Sequence, residues 1–446
     1  MLDVSRWKVL VLGLGISGRS AANFCAARGA DVVAADERAA AEIGELDAVD
    51  GAVELVVGES FPDPAAFDLV IPSPGVPAKR YRERARRVWG DVELAQRSLQ
   101  VPILAVTGTN GKSTTALLAD AMLRAAGFRS RVAGNVGTPA LDLVGEALDI
   151  AVLEVSSFQL ETTQTFRPAV AVVLNITPDH LDRHGDLAAY SAAKARIIAN
   201  QDAGDVAVLN FDDPRVRAFA TETKARVVPF RCSGPAPGGA WLDAGAAVIT
   251  DENGATTRVS LDGMRIPGAH NRENALAALA AVVAVGAAPA RAATALASFE
   301  GLAHRSQRVG RHGGTTWVDD SKATNPGAAL RSLASFPGDV VWIAGGRDKG
   351  LDFGELADAA ADRVRAAVLI GEAAGKIARA LGDRVPVHRA ASIEEAVEIA
   401  AKIAVSGDVV LLAPACASQD QFRDFAERGE RFAGAVAALG GTGDRP

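Results

Sequence analysis

Residues 101–115, with the sequence VPILAVTGTNGKSTT, constrain the fold more than any other stretch of the chain. An apolar run with strand character enters a glycine turn, and Lys112 and Ser113 follow where a helix should begin. Backbone N–H groups of such a turn, together with the helix N-terminus, form a positive cradle for phosphates. Lys112 would reach the outer phosphates of ATP, and the Ser113 hydroxyl would hold magnesium. Because Val106 stands where the usual P-loop has a glycine, Gly108 makes this loop a shorter variant.

Composition limits the class of protein. The chain has 446 residues, which predicts about three domains of roughly 150 residues each. Its apolar runs are shorter than the ~20 residues of a membrane helix, and residues 8–15 are too short and too glycine-rich for a signal peptide. Three widely spaced cysteines form no C-x-x-C pair, and the net charge is −7. We therefore expect a cytoplasmic protein without a nucleic-acid or membrane partner, and nothing in the sequence demands more than a monomer.

Strand-like and helical stretches alternate along the chain, which is the pattern of parallel α/β units. We predict an α/β fold with a Rossmann-like domain over residues 1–95, a central P-loop domain over 96–300 and a second Rossmann-like domain over 301–446. The central domain should combine a parallel sheet with small β-hairpins at residues 233–254. Strands are predicted at residues 8–13, 31–36, 67–72, 101–107, 151–154, 169–177, 206–210, 340–346, 366–371 and 408–414, and helices at 18–28, 116–126 and 190–198.

The sequence GLGISG at residues 13–18 matches G-x-G-x-x-G after a strand, and Asp36 ends the next strand. In dinucleotide-binding domains these glycines let a pyrophosphate approach closely, and the acid binds a ribose hydroxyl. The motif alone fits NAD or FAD, the pyrophosphate of a nucleotide such as a UDP-sugar, or a tight turn without a ligand. At this point an NAD-dependent oxidoreductase therefore stays an alternative.

Further candidate residues follow the phosphate loop. Glu154 is the last residue of a predicted buried strand. A carboxylate at this position either supplies a second protein oxygen to nucleotide-bound magnesium or is an acid whose hydrogen bonds are satisfied without a ligand. His180 and His184 are four residues apart, but the neighbouring proline and glycine and the lack of a glutamate after His180 argue against an H-E-x-x-H zinc site. Lys194 lies on a predicted helix beside the loop, and composition alone does not separate it from a solvated lysine. The basic segment, residues 79–87, is predicted to be a solvated helix face.

Taken together, the motifs of the second and third domains resemble the Mur ligase family, in collinear order over nearly the whole chain. They are GTNGKSTT at 108–115, EVSSFQL at 154–160, TPDHLDRH at 177–184, AAKAR at 192–196, GAHNREN at 268–274, HR at 304–305, DDSKATN at 319–325, GGRDKG at 345–350 and LAPACAS at 412–418. The SSFQL, DSKATN and PACAS spellings are most similar to the branch that adds D-glutamate. The resemblance is weakest in the first domain, where Glu37 replaces a smaller polar residue and the basic segment matches no family motif.

The resemblance implies an ATP-dependent ligase that adds D-glutamate to UDP-N-acetylmuramoyl-L-alanine in peptidoglycan precursor synthesis. The muramoyl carboxylate would attack the γ-phosphate of ATP, and the amine of D-glutamate would displace phosphate from the acyl phosphate. Two magnesium ions would serve the reaction, and Lys194 would carry a carbamate formed from CO2. Only a neutral amine reacts with CO2, so this modification requires a lysine whose pKa is lowered by burial or by a nearby cation. A relative that uses L-glutamate or a longer muramoyl peptide, and a nucleotide-sensing switch without catalysis, stay alternatives.

The same resemblance implies the roles of individual residues. Catalytic roles fall to Lys112, Glu154, His180 and Lys194, and the metal ligands are Ser113, Glu154, His180 and Lys194. The ATP contacts are Gly108, Thr109, Asn110, Gly111, Lys112, Ser113, Thr114, Asn271, Arg305 and Asp320. The UDP-substrate contacts are Gly15, Ile16, Ser17, Gly18, Asp36, Arg38, Ser73, Gly75, Asn135 and His180. The D-glutamate contacts are Lys322, Thr324, Lys349, Ser418 and Phe425, and the lysines and hydroxyls among them suit a dianionic substrate.

Overall fold

The computed structural model describes residues 2–251, 253–266, 268–336 and 339–440, so the last positions of the predicted third domain lie outside the described residues. The chain divides into two compact units. The first unit contains the residues up to Ile176, with 188–262 and 274–296, and the second contains 177–187, 263–273 and the residues from Ala297 onward. Three separate sheets agree with the predicted three-domain α/β fold. The domain boundaries at residues 95 and 300 stay predictions.

The first sheet is parallel and contains the predicted strands at residues 8–13, 31–36 and 67–72. Its strands lie in the order β3–β2–β1–β4, with bounds β1 Lys8–Leu12, β2 Asp31–Asp36, β3 Glu54–Val57 and β4 Leu69–Pro72. The helices of this part are α1 Ile16–Ala26, α2 Ala40–Ile43 and α3 Asp91–Gln96. Helix α1 begins two residues earlier than predicted, directly after the extended Gly15. Because the carboxyl ends of parallel strands share one edge of a sheet, Gly13, Asp36 and Ser73 all lie at that edge.

The prediction of a helix in the basic segment, residues 79–87, is wrong. A single 3-10 turn covers Ala78–Arg80, and Tyr81 after it is buried. The end of the segment instead runs beside β4, because Val70 N donates to Arg87 O at 2.9 Å and Trp89 N donates to Val70 O at 3.1 Å. These two bonds therefore hold residues 87–89 in an extended conformation beside β4, which is incompatible with a helix.

The central sheet combines parallel strands with an antiparallel extension. Its order is β13–β12–β11–β10–β9–β8–β5–β7–β6, and only the pairs β11–β12 and β12–β13 are antiparallel among the described residues. These two pairs are the small β elements predicted near residues 233–254. The strands are β5 Ile103–Thr107, β6 Ser130–Gly134, β7 Ile150–Glu154, β8 Val170–Val173, β9 Val206–Asn210, β10 Arg226–Arg231, β11 Ala240–Asp243, β12 Ala246–Thr250 and β13 Thr256–Ser260. The helices are α4 Lys112–Ala125, α5 Ser157–Leu160, α6 Leu181–His184, α7 Leu187–Ala195, α8 Pro214–Ala218, α9 Ala269–Ala284 and α10 Pro289–Ala292.

The third sheet is parallel except at one edge and belongs to the second unit. Its order is β14–β15–β19–β16–β17–β18, with β14 antiparallel to β15. The strands are β14 Gln307–His312, β15 Thr315–Asp319, β16 Val340–Gly345, β17 Val364–Ile370, β18 Val387–Arg389 and β19 Val409–Leu412, and the helices are α11 Pro326–Ala334, α12 Gly354–Ala361, α13 Ala374–Leu381, α14 Ile393–Ile403 and α15 Phe425–Ala438. Trp342 packs on one face of the sheet with Leu356 and Ile377, and Trp317 packs on the other with Ile393 and Phe432. Helices cover both faces, so the central strands are continuous apolar runs.

The helices of both units differ from membrane spans. Within the described ranges, no helix combines the length and the apolar character needed to cross a bilayer.

Candidate active site

The phosphate loop lies between β5 and α4, as the sequence predicts. All five residues of β5 are buried, and α4 begins at Lys112 directly after Gly111, whose φ is +87°. The Asn175 side chain fixes the loop, because its Oδ1 accepts from Asn110 N at 2.9 Å and its Nδ2 donates to Asn110 O at 3.1 Å. A Cβ at Gly108 would come within 2.9 Å of Leu174 Cβ. The loop is therefore a tight turn that ends at a helix N-terminus, and this geometry suits a phosphate group.

Lys194 is buried against this loop. Only 1% of its surface is exposed, and its Nζ donates to Gly108 O at 2.7 Å. The amine also lies 4.6 Å from the centre of the Tyr190 ring, and the Tyr190 hydroxyl bonds to Thr109 Oγ1 at 3.2 Å. The alternative of a solvated surface lysine is therefore excluded for Lys194, since α7 turns the side chain inward.

Glu154 has the features of a cation ligand. It is 1% exposed and ends β7, which pairs with β5 so that Glu154 lies opposite Val106. Its Oε1 accepts from Asn135 Nδ2 at 2.7 Å, whereas its buried Oε2 has no hydrogen-bond partner in the described part of the chain. A buried carboxylate oxygen without a partner is costly, and a bound cation would satisfy it. The hydroxyl of buried Ser113, in the first turn of α4, is a second hard oxygen of the kind that magnesium prefers.

The described residues contain no group of three or more His, Cys, Asp or Glu side chains placed to hold a metal ion.

The predicted uridine-nucleotide residues meet at the edge of the first sheet. A Cβ at Gly18 would collide with Gly13 O, and Ser73 Oγ donates to that same carbonyl at 2.8 Å. Gly15 and Gly75 instead face open space, and 65% of the Ile16 surface is exposed. Of the three glycines in the loop, Gly13 and Gly18 are therefore closed by packing, and Gly15 leaves room for a ligand.

Asp36 is held as a carboxylate at the same edge. Its side chain accepts from Leu14 N at 2.8 Å and from Arg38 N and Nε at 3.0 Å, and Arg38 Nη2 lies 2.7 Å from Oδ2. Burial alone would raise the pKa of Asp36, but the bonds from Arg38 and Leu14 outweigh it and lower the pKa to about 2. Asp36 is therefore a fixed negative acceptor beside the glycine loop.

His180 and three motif residues form a polar group in the second unit. His180 has a left-handed φ of +52°, and its backbone N donates to Asp179 Oδ1 at 3.0 Å. Asp179 Oδ2 accepts from Asn325 Nδ2 at 3.0 Å, and Lys349 Nζ lies 3.7 Å from Asp179 Oδ1. Asn325 also caps α11 through Ala328 N at 2.8 Å. Asp179 thus joins the loop of His180 to the DSKATN and GGRDKG motifs.

The predicted D-glutamate residues follow three adjacent strand ends of the third sheet. Lys322 and Thr324 come after β15, Ser418 after β19 and Lys349 after β16. Lys322 Nζ lies 3.6 Å from the centre of the Phe425 ring. The Ser418 hydroxyl is buried and has no hydrogen-bond partner among the residues that the structure describes. A cation held by an aromatic ring and an unpaired hydroxyl at one sheet edge suit an anionic ligand.

The predicted nucleotide contacts of the second unit are Asn271, Arg305 and Asp320. Burial raises the pKa of Asp320 to about 6, against the lowering effects of the Ser332 hydroxyl and of Arg305. Asn271 lies in the first turn of α9, where its backbone N donates to Gly268 O at 3.1 Å. The neighbouring His270 is partly buried near Arg331 and Arg305, and desolvation together with these two cations lowers its pKa to about 4.

The structure also shows supporting residues that sequence reasoning missed. Asn175 holds the phosphate loop, and Asn274 Oδ1 lies 3.4 Å from Thr115 Oγ1 and against Gly111. Arg428 is fully buried, and its guanidinium donates to Ser321 O at 2.8 Å and to the Cys416 and Ala417 carbonyls beside Ser418. The only sequence signal for these residues was their place inside or near recognised motifs.

Three family models match the chain in the order of its sheets. They are Mur ligase MurD-like, N-terminal domain, over residues 7–85; Mur ligase middle domain over residues 106–282; and Mur ligase, glutamate ligase domain, over residues 304–416. A protein of Geobacter metallireducens named UDP-N-acetylmuramoylalanine--D-glutamate ligase is 44% identical over 455 residues, which cover 100% of both chains. The chain belongs to the Mur ligase family. A protein of the same name from Geotalea daltonii is 42% identical to this Mur ligase and covers 99% of it, with 99% of its own length matched.

Solved structures agree with the fold of this Mur ligase. A pseudomurein peptide ligase from Methanothermus fervidus superposes with a TM-score of 0.62 at 17% identity, covering 98% of this chain and 100% of that one. The MurF ligase of Thermotoga maritima, solved in complex with ADP, gives a TM-score of 0.61 at 20% identity and covers 98% of this chain and 97% of its own. The predicted family and the three-domain α/β fold are therefore confirmed.

Proposed function

We propose that this protein is an ATP-dependent ligase that adds D-glutamate to UDP-N-acetylmuramoyl-L-alanine during the synthesis of peptidoglycan precursors. The observation that carries the proposal is the 42–44% identity, over essentially the whole chain, to relatives named for that reaction. The geometry agrees with it, because a phosphate loop, a buried carboxylate and a buried lysine lie on adjacent elements of the first unit.

The reaction needs electrostatic help because a carboxylate must attack a phosphate, and both carry negative charge. The substrate carboxylate oxygen would bond to the γ-phosphorus while ADP leaves. The amine of D-glutamate would then attack the acyl carbon, lose a proton and release inorganic phosphate. Positioning and charge neutralisation dominate the rate of such a transfer. In this chain Lys112 would hold the outer phosphates, and the N-terminus of α4 would bind them through its backbone N–H groups.

The residues of the first unit fit magnesium. Glu154 Oε2 is a buried oxygen without a described partner, and Ser113 supplies a hydroxyl. Magnesium bound there would neutralise the phosphate oxygens of ATP. Glu154 is held in place by Asn135, whose backbone and side chain both donate to it, at 2.9 and 2.7 Å. We place a second ion with His180 and a carbamate on Lys194.

The buried position of Lys194 supports the carbamate. Burial disfavours the charged ammonium form, and only the neutral amine reacts with CO2. A carbamate nitrogen keeps one hydrogen, so the 2.7 Å bond to Gly108 O could persist after modification. Carbon-13 NMR with labelled bicarbonate should show a carbamate signal that is absent from the Lys194→Arg variant. An unlabelled wild-type protein that still turns over would contradict this assignment.

The remaining predicted site residues fall into separate groups for the UDP-substrate, for D-glutamate and for ATP. Gly15, Ile16, Ser17, Gly18, Asp36, Arg38, Ser73 and Gly75 would hold the uridine nucleotide, and Asn135 and His180 would contact the muramoyl end of the same substrate. Lys322, Thr324, Lys349, Ser418 and Phe425 would hold D-glutamate, and Asn271, Arg305 and Asp320 would contact ATP. We further propose a monomer in the cytoplasm, where the three free cysteines would stay reduced. Light scattering on the purified chain tests the monomer.

Phosphate release tests the proposed reaction. Each UDP-muramoyl substrate is combined with D-glutamate, L-glutamate, L-alanine or diaminopimelate in the presence of ATP and magnesium. We expect release only with UDP-N-acetylmuramoyl-L-alanine and D-glutamate, and none from the Lys112→Met control. Release with L-glutamate or with a longer muramoyl peptide would move the enzyme to another branch of the family. ATP binding without release in any combination would indicate a nucleotide-sensing switch.

A further inference from the structure

The pairing of β5 with β8 continues past both strands into the phosphate loop. Leu174 N donates to Thr107 O at 3.0 Å, and Thr109 N donates to Asn175 O at 2.8 Å. The two backbones lie close together here, because a Cβ at Gly108 would come within 3.3 Å of Asn175 N. Backbone hydrogen bonds therefore hold the start of the loop.

The next loop residue, Asn110, is held by a side chain instead. Asn175 Oδ1 accepts from Asn110 N at 2.9 Å, and Asn175 Nδ2 donates to Asn110 O at 3.1 Å. An asparagine amide carries an acceptor and two donors, so it can satisfy both backbone groups at once. The N–H and the carbonyl of Asn110 belong to the peptide planes before and after this residue. The two bonds therefore fix both planes, and the amide that makes them is buried.

The second of these planes leads directly into the N-terminus of α4. It contains Asn110 O and the N–H of Gly111, and the helix begins at the next residue, Lys112. The carbonyl and the N–H of a trans peptide point in opposite directions, and the described chain contains no cis peptide bond. The bond from Asn175 to Asn110 O therefore directs the Gly111 N–H away from Asn175. N–H groups at such a helix start are those that bind phosphate.

We propose that Asn175 is a positioning residue for the triphosphate of ATP: its amide sets the peptide between Asn110 and Gly111 so that the Gly111 N–H faces the phosphates. The inference rests on the proposed function, because that function makes this loop the ATP site. A rotated peptide would present the Asn110 carbonyl to the phosphates and replace attraction by repulsion. Phosphoryl transfer depends on the placement of the γ-phosphate, so a loosened loop should lower kcat as well as ATP affinity.

Asn210 provides the matched control. It is also buried and ends the neighbouring strand β9. It has the same pattern of bonds, since its Nδ2 donates to Leu174 O at 2.8 Å and its Oδ1 accepts from Asp212 N at 2.9 Å. Neither of these two bonds involves the phosphate loop. If Asn175 only stabilised the sheet, replacing either asparagine by alanine would have the same effect on ATP binding.

Calorimetry with the β,γ-imido analogue of ATP and phosphate-release kinetics test the inference. Asn175→Ala removes both bonds to the loop, so we expect Kd for the analogue to rise about tenfold. At saturating substrates kcat should fall at least about tenfold, because placement of the γ-phosphate is lost as well as binding. KM for the UDP-substrate and for D-glutamate should stay within about twofold. Asn210→Ala should lower the thermal midpoint but leave Kd and kcat within about twofold.

Asn175→Asp separates the amide bonds from the packing of the side chain. It keeps the size of asparagine and the acceptor for Asn110 N, but it loses the donor, and a carboxylate oxygen then faces Asn110 O. It should weaken analogue binding at least as much as Asn175→Ala, and it also serves if Asn175→Ala does not fold. Amide hydrogen exchange followed by mass spectrometry needs no ligand. We expect the loop peptide to exchange faster in Asn175→Ala than in the wild type or in Asn210→Ala.

The outcomes separate the role of Asn175 from the proposed reaction. An unchanged Kd in Asn175→Ala, an equal rise in Asn210→Ala, or loop amides that exchange as slowly as in the wild type would overturn the role of Asn175. Analogue binding without phosphate release in the wild type would instead refute the proposed reaction, and the Kd series would still decide on Asn175. A wild-type protein that binds no adenine nucleotide would overturn both.

Discussion

The carboxylate of Asp36 allows a quantitative test of the first glycine loop through the Asp36→Asn variant. The pKa of Asp36 is lowered from 3.8 to about 2, since the bonds from Arg38 and Leu14 outweigh burial. At about 1.36 kcal/mol per pH unit, this difference corresponds to roughly 2 kcal/mol of stability for the ionised form. Arg38 is half-exposed, and screening by solvent reduces the expected value to about 1–2 kcal/mol.

The sign of the pH dependence follows from the lowered pKa. The folded state holds the proton of Asp36 less tightly than the unfolded state, so the stabilisation is complete above about pH 4 and is lost as the pH falls toward about 2. Urea unfolding followed by tryptophan fluorescence reports on this region, because Trp7 and Trp89 lie beside the first sheet with their ring centres 5.7 Å apart. We expect the difference between wild type and Asp36→Asn to be constant from pH 7 to pH 5 and to shrink below pH 4.

Asp31→Asn is the control, because Asp31 begins the same strand but is exposed. Its effect on the free energy of unfolding should stay within about 0.5 kcal/mol at every pH. If Asp36→Asn were no less stable than Asp31→Asn at pH 7, the carboxylate would not be held as described. A difference that shrank already between pH 7 and pH 5 would refute the lowered pKa.

Three further predictions concern the nucleotide sites. Gly111→Ala combines a φ of +87° with a collision against Asn274 Oδ1, so the affinity for an ATP analogue, measured by calorimetry, should fall at least about tenfold. Lys112→Met should reduce phosphate release by at least about a hundredfold and leave the Kd of the UDP-substrate unchanged, because the proposed role of the amine is to hold the phosphates of ATP. The pKa of about 6 at Asp320 predicts that ATP affinity weakens as the pH falls through 6 and its carboxylate becomes protonated. The Asp320→Asn variant should show a flat affinity between pH 5 and pH 7 if that carboxylate is the titrating group.

The elements that sequence reasoning predicted are those whose signals are local. The strands at residues 31–36 and 206–210 were predicted with their observed bounds, because a run of apolar residues buried on both faces is visible in the sequence itself. Gly13 and Gly111 were predicted as loop positions, and both have left-handed φ values that other residues rarely adopt. The fold class and the phosphate loop could therefore be predicted from local sequence patterns, without knowledge of contacts between distant residues.

The supporting contacts could not be predicted, because each joins residues far apart in the sequence. Asn175 is 65 positions from the Asn110 backbone that it holds, and Gln159 is 68 positions from Asp91. Neither asparagine nor glutamine has a spacing rule that links it to such a partner. The third domain illustrates the same limit, since buried Arg428 reaches Ser321 across 107 positions.

The two sequence features that did not match the family pattern, Glu37 and the basic segment, contact each other in the structure. Glu37, which departs from the family pattern, bonds to Arg80 of the basic segment, and Arg80 lies 5.4 Å from the centre of the Phe61 ring. Arg87 of the same segment lies 4.5 Å from the Trp7 ring. The charge run was interpreted as a solvated helix because its partners are remote in sequence, and a pattern of charges alone does not reveal them.

Buried Lys194 and Glu154 do not follow the burial preferences from which the rest of the fold is predicted. A lysine and a glutamate are rarely buried without a charged partner, because removing their charge from water is costly. The fold nevertheless buries Lys194, with its Nζ 2.7 Å from Gly108 O, and one oxygen of buried Glu154 has no hydrogen-bond partner among the described residues. A cation bound at Glu154 would satisfy that oxygen, so we expect ligand binding to stabilise the fold. The same residues are therefore the least predictable from folding rules and the most informative about chemistry.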